Sequence, residues 1–163
     1  MKTIGLLSDT HAYWDEKYTE FFEKCDEIWH AGDIGNIEII QKLASKGQKI
    51  RAVYGNIDGQ DIRLHFPLHN RFKIEDISVW ITHIGGYPGK YNPIIINDLI
   101  NNPPKLFICG HSHITKVMYD KKLNLLHMNP GAAGKEGFQQ VRTIMRFAID
   151  KDDIKNLEIL ELK

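Results

Sequence analysis

Apolar positions along this chain fall into short runs, and nearly every run ends in a polar cluster. Thr3 to Leu7 reads as a buried strand cut off by Ser8-Asp9-Thr10-His11. Glu16 to Cys25 has helical spacing, with Phe21, Phe22 and Cys25 on one face. Glu27 to His30 is a short strand followed by Ala31-Gly32-Asp33. Ile37 to Lys46 predicts a helix with Ile39, Ile40 and Leu43 inward and Gly47 as its stop. Lys49 to Tyr54 is a third strand, followed by Gly55-Asn56-Ile57-Asp58-Gly59. Strand, helix, strand, helix, strand predicts a parallel sheet joined by βαβ crossovers.

The remainder is richer in strands. Phe72–Ile74 and Val79–Thr82 flank a turn at Glu75-Asp76, and the second of them ends at His83. Asn92 to Asn101 predicts a helix stopped by Pro103-Pro104. Leu106 to Cys109 is an apolar strand that runs into Gly110-His111-Ser112-His113. Strands at Lys116–Tyr119, Leu123–Met128, Arg142–Ile149 and Leu157–Leu162 read as a β-meander. A parallel α/β half beside a strand-rich half, with no linker between them, predicts one domain over 1–163 with two facing sheets and helices outside.

Bulk properties narrow the function classes. A chain of 163 residues, 42% hydrophobic and 26% charged, can bury a sizeable core. Lys+Arg and Asp+Glu are both 21, which argues against a broad nucleic-acid footprint but leaves room for a small phosphate-bearing substrate. Cys25 and Cys109 form no CxxC, and no secretory or membrane-spanning run is seen. These features predict reduced core cysteines, a cytoplasmic location and no membrane partner, and leave homo-oligomerisation open.

The polar residues just beyond the strands are more specific. Asp9 and His11 come after the first strand, Asp33 after the second and Asn56 after the third. His83 comes after the Val79–Thr82 strand, and His111 and His113 after Leu106–Cys109. In parallel α/β sheets, ligands bind beyond the carboxyl ends of strands. Six or seven nitrogen and oxygen ligands then converge on one rim, with no thiolate among them. That donor set suits hard or borderline divalent ions, and it is too large for a single catalytic one. In extended backbone, residues i and i+2 point to the same side, so His111 and His113 can reach one ion or two neighbouring ions. Taken singly, Asp9 and Asn56 are ordinary cap or turn residues, and His83 is an ordinary strand-end histidine. The ordered set is what points to metal. His30, His65, His69 and His127 match no ligand position and read as structural or surface residues, and Asn129-Pro130-Gly131 as a turn supporting the rim.

DxH (Asp9, His11), GD (Gly32, Asp33), GNxD (Gly55, Asn56, Asp58), His83 and GHxH (Gly110, His111, His113) stand in the order found in the calcineurin-like metallophosphoesterase superfamily. From Lys2 to about Gly131 the chain resembles its small single-domain phosphodiesterases. The resemblance implies a four-layer α/β/β/α sandwich with two facing mixed sheets. It implies two divalent ions, manganese first, with Ni, Fe, Zn or Co as alternatives. Asp9, His11, Asp33 and His113 would hold one ion, and Asp33 would bridge to a second completed by Asn56, His83 and His111. Asp33, Asn56, His83 and Asp58 would act in catalysis, with Asp58 orienting a histidine ligand. A hydroxide activated by both metals would attack a small organic phosphodiester in line.

Two departures matter. The x of GNxD, often a histidine in the wider superfamily, is Ile57, which can neither protonate a leaving group nor contact phosphate. After His83 the chain has Ile84-Gly85-Gly86 where relatives often carry Gly-His. The loops Gln60–Asn70 and Gly85–Pro93 are expected to shape specificity. The alternative function is a non-catalytic protein-binding scaffold, because the superfamily includes a retromer subunit of this size with a degraded metal site. All seven ligand types are present here, which favours the enzyme.

Overall fold

The computed structural model describes residues 1–163. Its first sheet contains β1 (Lys2–Leu7), β2 (Glu27–His30) and β3 (Lys49–Ala52), paired in parallel, with β11 (Arg142–Asp150) and β12 (Asp153–Leu162) added antiparallel beyond β1. The second sheet has the order β4 (His69–Ile74), β5 (Ile77–Thr82), β8 (Leu106–Ile108), β10 (Leu125–Asn129), β9 (Lys116–Asp120). In it β5, β8 and β10 run parallel, and β4 and β9 are antiparallel edges. A two-stranded hairpin, β6 (Gly86–Tyr87) and β7 (Lys90–Tyr91), projects from the loop after β5.

Alternation within the strands divides the core into three bodies. Ile4, Leu6, Trp29, Val79, Ile81, Ile108, Met145 and Phe147 lie between the sheets. Leu7, Ile28 and Ile144 face the other way, under α1 (Lys17–Phe21), α2 (Ile37–Leu43) and α3 (Gln60–Arg63), with Tyr18, Ile39, Ile40, Leu43 and Ile62 closing that layer. Trp80, Phe107 and Leu125 leave the second sheet toward α4 (Ile96–Asn101), which contributes Leu99. The layers therefore run helix, sheet, sheet, helix, as the resemblance implies.

Local differences from the sequence reading have physical causes. The first helix is shorter than Glu16–Cys25, because Asp26 N–H bonds to Thr3 O and Cys25 N–H to Phe22 O, turning the chain early into β2. The second matches its expectation: α2 is capped by the Asn36 side chain, continues as a 3₁₀ turn to Lys46, and stops at Gly47 with φ 86°. The third expected helix, α4, starts at Ile96 and not at Asn92, since Pro93 disfavours helical backbone at the residue before it, and α3 forms within the expected loop Gln60–Asn70. The last third is not one continuous meander. β8, β9 and β10 join the second sheet, whereas β11 and β12 join the first and cover the otherwise open edge of β1. No helix is long and apolar enough to cross a membrane.

Candidate metal centre

The carboxyl ends of β1, β2 and β3 meet those of β5 and β8 at one rim. Asp9, His11, Asp33, Asn56, His83, His111 and His113 all lie in the loops leaving these strands. Five of them, Asp9, His11, Asp33, His111 and His113, have positive φ, between 45° and 71°. Left-handed backbone at non-glycine residues is uncommon and gathers at functional sites. Here it turns the chain sharply off each strand and aims the side chains back across the rim.

Six of these side chains form two groups with potential metal-binding atoms close together: Asp9, His11 and His113, and Asp33, His83 and His111. Asn56 joins the second group, its Oδ1 3.1 Å from His111 Nδ1. Each carboxylate has one oxygen tied down and the other presented. Asp9 Oδ2 accepts from the Ser8 hydroxyl (2.5 Å) and from His111 N–H (3.1 Å), while Oδ1 lies 3.1 Å from His113 Nε2. Asp33 Oδ1 accepts from Ile57 N–H at 3.1 Å, while Oδ2 lies 3.3 Å from His11 Nε2 and 3.1 Å from His83 Nε2. A single oxygen of Asp33 thus faces both groups. Glycines leave room for this crowding. A Cβ on Gly55 would overlap Asp33 Oδ1, and one on Gly110 would overlap Ser8 Oγ and stand 2.8 Å from Asp9 Oδ2.

The imidazole tautomers follow from hydrogen bonding. His83 Nδ1 lies 2.7 Å from Ala31 O, which can only accept, so the proton is on Nδ1. In its neutral form the ring then turns a bare Nε2 lone pair toward Asp33 Oδ2. His113 shows the same logic. Gln139 Nε2 donates to Gly134 O (3.0 Å) and Glu136 O (2.7 Å), so Oε1 faces His113 Nδ1 at 2.8 Å and accepts a hydrogen bond from its N–H. Lone pairs facing carboxylate oxygens at about 3 Å repel unless a cation lies between them. Two such nitrogens, His11 Nε2 and His83 Nε2, are buried with no hydrogen-bond partner. Orphaned buried nitrogens are costly, and metal coordination satisfies them. The donor set fits divalent metal.

Electrostatics agree. Burial works to raise the Asp9 carboxyl, but the imidazoles of His11, His113 and His83, with the Ser8 hydroxyl, hold it well below the usual carboxylate range. Burial likewise works to raise Asp33, and His83 and the Ile57 N–H pull it down. The nearby Asp9 carboxylate raises His11, and as hydrogen-bond partner it raises His113. His83 is lowered by burial but raised on balance by Asp33 and Asp9, while burial and then the charge of His83 lower His111. The site keeps its carboxylates ionised and draws in positive charge, as protons or as metal.

Asp58 corrects one expectation. Its carboxylate orients no histidine ligand; it accepts from Ile34 N–H (3.2 Å), Gly35 N–H (2.9 Å) and Gly55 N–H (2.8 Å), stapling the loop after β2 to the loop after β3. The orienting groups are the Ala31 carbonyl and Gln139. Neither was legible, since a carbonyl carries no residue signature and Gln139 lies outside every motif. His30 is buried between loops, with Nδ1 accepting from Gly32 N–H (3.1 Å) and Nε2 3.0 Å from Thr10 Oγ1, a structural residue as expected. Asn129 pins the GHSH turn, its Nδ2 donating to Gly110 O (3.0 Å) and Ser112 Oγ (3.1 Å).

The profile of the calcineurin-like phosphoesterase superfamily domain matches residues 1–152. The chain belongs to this superfamily. A phosphodiesterase of Methanocaldococcus jannaschii, MJ0936, is 26% identical over 143 residues, covering 78% of this chain and 82% of that protein. The structure of an archaeal phosphodiesterase superposes with a TM-score of 0.78 at 24% identity, covering 98% of this chain and 99% of that one. Wild-type Vps29 of Entamoeba histolytica, solved with zinc, gives a TM-score of 0.75 at 14% identity, covering 98% of each chain. At these identities the two structural likenesses establish the shared fold, and the superfamily carries the expectation of divalent metal and phosphoester chemistry.

Proposed function

We propose that this chain is a metal-dependent phosphodiesterase that hydrolyses a small organic phosphodiester at a dinuclear centre, manganese being the first candidate metal. The observation that carries the reading is Asp33 Oδ2, set within 3.3 Å of histidine nitrogens from both ligand groups. One group would be Asp9, His11, Asp33 and His113, the other Asp33, Asn56, His83 and His111. When bound, such a metal pair supplies Lewis acidity toward phosphate oxygens and an activated water.

The chain's own residues do the positioning. Asp33 offers one oxygen to both groups because Ile57 N–H holds the other. Ala31 O and Gln139 Oε1 fix the tautomers of His83 and His113 with Nε2 turned inward. Asp58 fixes the two loops that carry Asp33 and Asn56 and takes no part in proton transfer on this reading. Ile57 offers no proton to the leaving group.

The test is turnover of bis(4-nitrophenyl) phosphate, 4-nitrophenyl phosphate and cyclic nucleotides by protein reconstituted with Mn, Ni, Fe, Zn or Co. Diester hydrolysis above monoester hydrolysis is expected. Metal binding alone does not decide, since a Vps29 has been solved with zinc. Inactivity with every metal would leave the scaffold reading in place of the enzyme.

A further inference from the structure

Two clefts of unequal size flank the second ligand group. One, about 60 Å³, runs past His111 between the Gly85-Gly86 backbone, Ser112 and Asn129. The other, about 320 Å³, opens beside Asn56 and His83. Its walls are Tyr54, Leu68, Ile84, Ile94 and Ile95, with Arg63 at one side, and no carboxylate lines it. Leu68, Ile84 and Ile94 are 46%, 40% and 87% exposed, so apolar surface is held open to water next to the ligand side chains.

These walls are preformed. Asn92 bridges them, its Nδ2 donating to Ile84 O (2.7 Å) and its Oδ1 accepting from Ile94 N–H (3.0 Å). Tyr54 N–H bonds to Pro67 O at 3.1 Å, holding the loop that carries Leu68. Arg63 lies over the Tyr54 ring, 4.5 Å from its centroid, and its Nε donates to Asp58 O at 2.6 Å. The cleft's one permanent cation is therefore turned against the wall.

We infer that the larger cleft receives one arm of the phosphoester, and that this arm is bulky and apolar, of aryl size, and carries no positive charge. The inference rests on the phosphodiesterase reading for its phosphate and adds which substituent that phosphate carries. A phosphate bound between the two ligand groups has substituents on either side. The 60 Å³ cleft admits only a small group, whereas the 320 Å³ cleft matches a ring or branched chain. With Arg63 at its side and no carboxylate in its lining, the cleft works against a cationic arm. Burial of Leu68, Ile84 and Ile94 beneath the arm supplies the driving force.

Phosphonates test this without turnover, because each carries a single arm. Calorimetry on the Mn-loaded protein measures binding of methylphosphonate, phenylphosphonate and a phenylphosphonate bearing a para aminomethyl group, an ammonium ion at neutral pH. Phenylphosphonate is expected to bind at least about tenfold more tightly than methylphosphonate, a gain of the size that partial burial of a ring gives, and the ammonium analogue is expected to lose that gain. Leu68→Ser and Ile94→Ser should each shrink the phenyl-to-methyl ratio by about threefold or more; Ile94 is exposed enough that its replacement does not touch the core. Equal binding of methyl- and phenylphosphonate, or a ratio unmoved by both substitutions, overturns the arm assignment. Failure of the esterase assays beside a preserved phenyl preference would instead overturn the catalytic reading alone.

Discussion

Gln139 fixes the ring of His113 from a loop 26 residues further along the chain, its Oε1 2.8 Å from Nδ1. The bond sets the tautomer that turns Nε2 toward Asp9, so the loop after β10 is part of the first ligand group although it supplies no ligand. Gln139→Leu should weaken the first metal about 10–100-fold, the usual cost of losing such an orienting partner, and leave the second nearly as tight. Gln139→Glu separates two roles of the side chain. It keeps an acceptor for His113 but loses the donors to Gly134 O and Glu136 O. Recovery of affinity in the Glu variant would assign the effect to the histidine bond. Calorimetric titration with Mn resolves the two sites, and wild-type affinity in Gln139→Leu would refute the coupling.

Asp33 should be the most costly ligand to neutralise. Two ions per chain are expected at saturation by metal analysis. Asp33→Asn keeps an oxygen for Ile57 N–H but removes the charge facing both groups. Both affinities should fall by more than about 100-fold, beyond the loss typical of an outer partner. Diesterase activity should fall with them, while the circular dichroism spectrum stays native because Asp33 is on the rim and not in the core clusters. A wild type that saturates with one ion, or an Asn variant with wild-type turnover, would remove Asp33 from the bridging role.

The framework was legible because it rests on periodicity and on residue types with few other uses. Ile39, Ile40 and Leu43 announce α2, and five motifs in order announce the rim. The illegible parts depend on non-local pairing. Nothing in Arg142–Asp150 says that it pairs with β1 and not with its sequence neighbours in the second sheet. Asp58 looks like a partner for histidine in sequence, yet three N–H groups converge on it once the loops after β2 and β3 are adjacent. Gln139 becomes visible only when the loop after β10 folds over His113.

His127 gives the protein an acid-sensitive core. It is 1% exposed, its Nδ1 lies 3.2 Å from Phe107 O, and burial pushes its pKa down to about 4. A histidine with a depressed folded pKa stays neutral while the unfolded chain takes up a proton below about 6.5. Its contribution is intact above that value and is lost as the pH falls from about 6.5 to about 4, by about 3 kcal/mol in all. Chemical denaturation of the metal-free protein at several pH values should show the wild type losing stability relative to His127→Gln across that window. His30, which burial also lowers, and His11, His83 and His113, which the rim carboxylates raise, titrate in both proteins and drop out of the difference. Parallel curves for the two proteins would mean that His127 is not the titrating group.

Ile57 should leave a kinetic signature. Its N–H serves Asp33 Oδ1, and its side chain, 47% exposed, brings no proton to the rim. Ile84, next to His83, is equally aprotic and 40% exposed. A positioned general acid contributes about 10²–10⁴-fold, most of it when the leaving oxygen is poor. Without one, kcat/KM should depend steeply on leaving-group pKa, with aryl diesters cleaved well and alkyl diesters poorly. Ile57→His should flatten that dependence by helping poor leaving groups more than good ones. The gain should be smaller than a native acid gives, because no group stands ready to orient the new ring. The backbone N–H to Asp33 survives the substitution, so metal affinity should hold and a change in slope can be read as proton transfer. The measurement is one series of diesters of graded leaving-group pKa, run on both proteins at equal metal loading. A shallow slope already present in the wild type would show that another group supplies the proton.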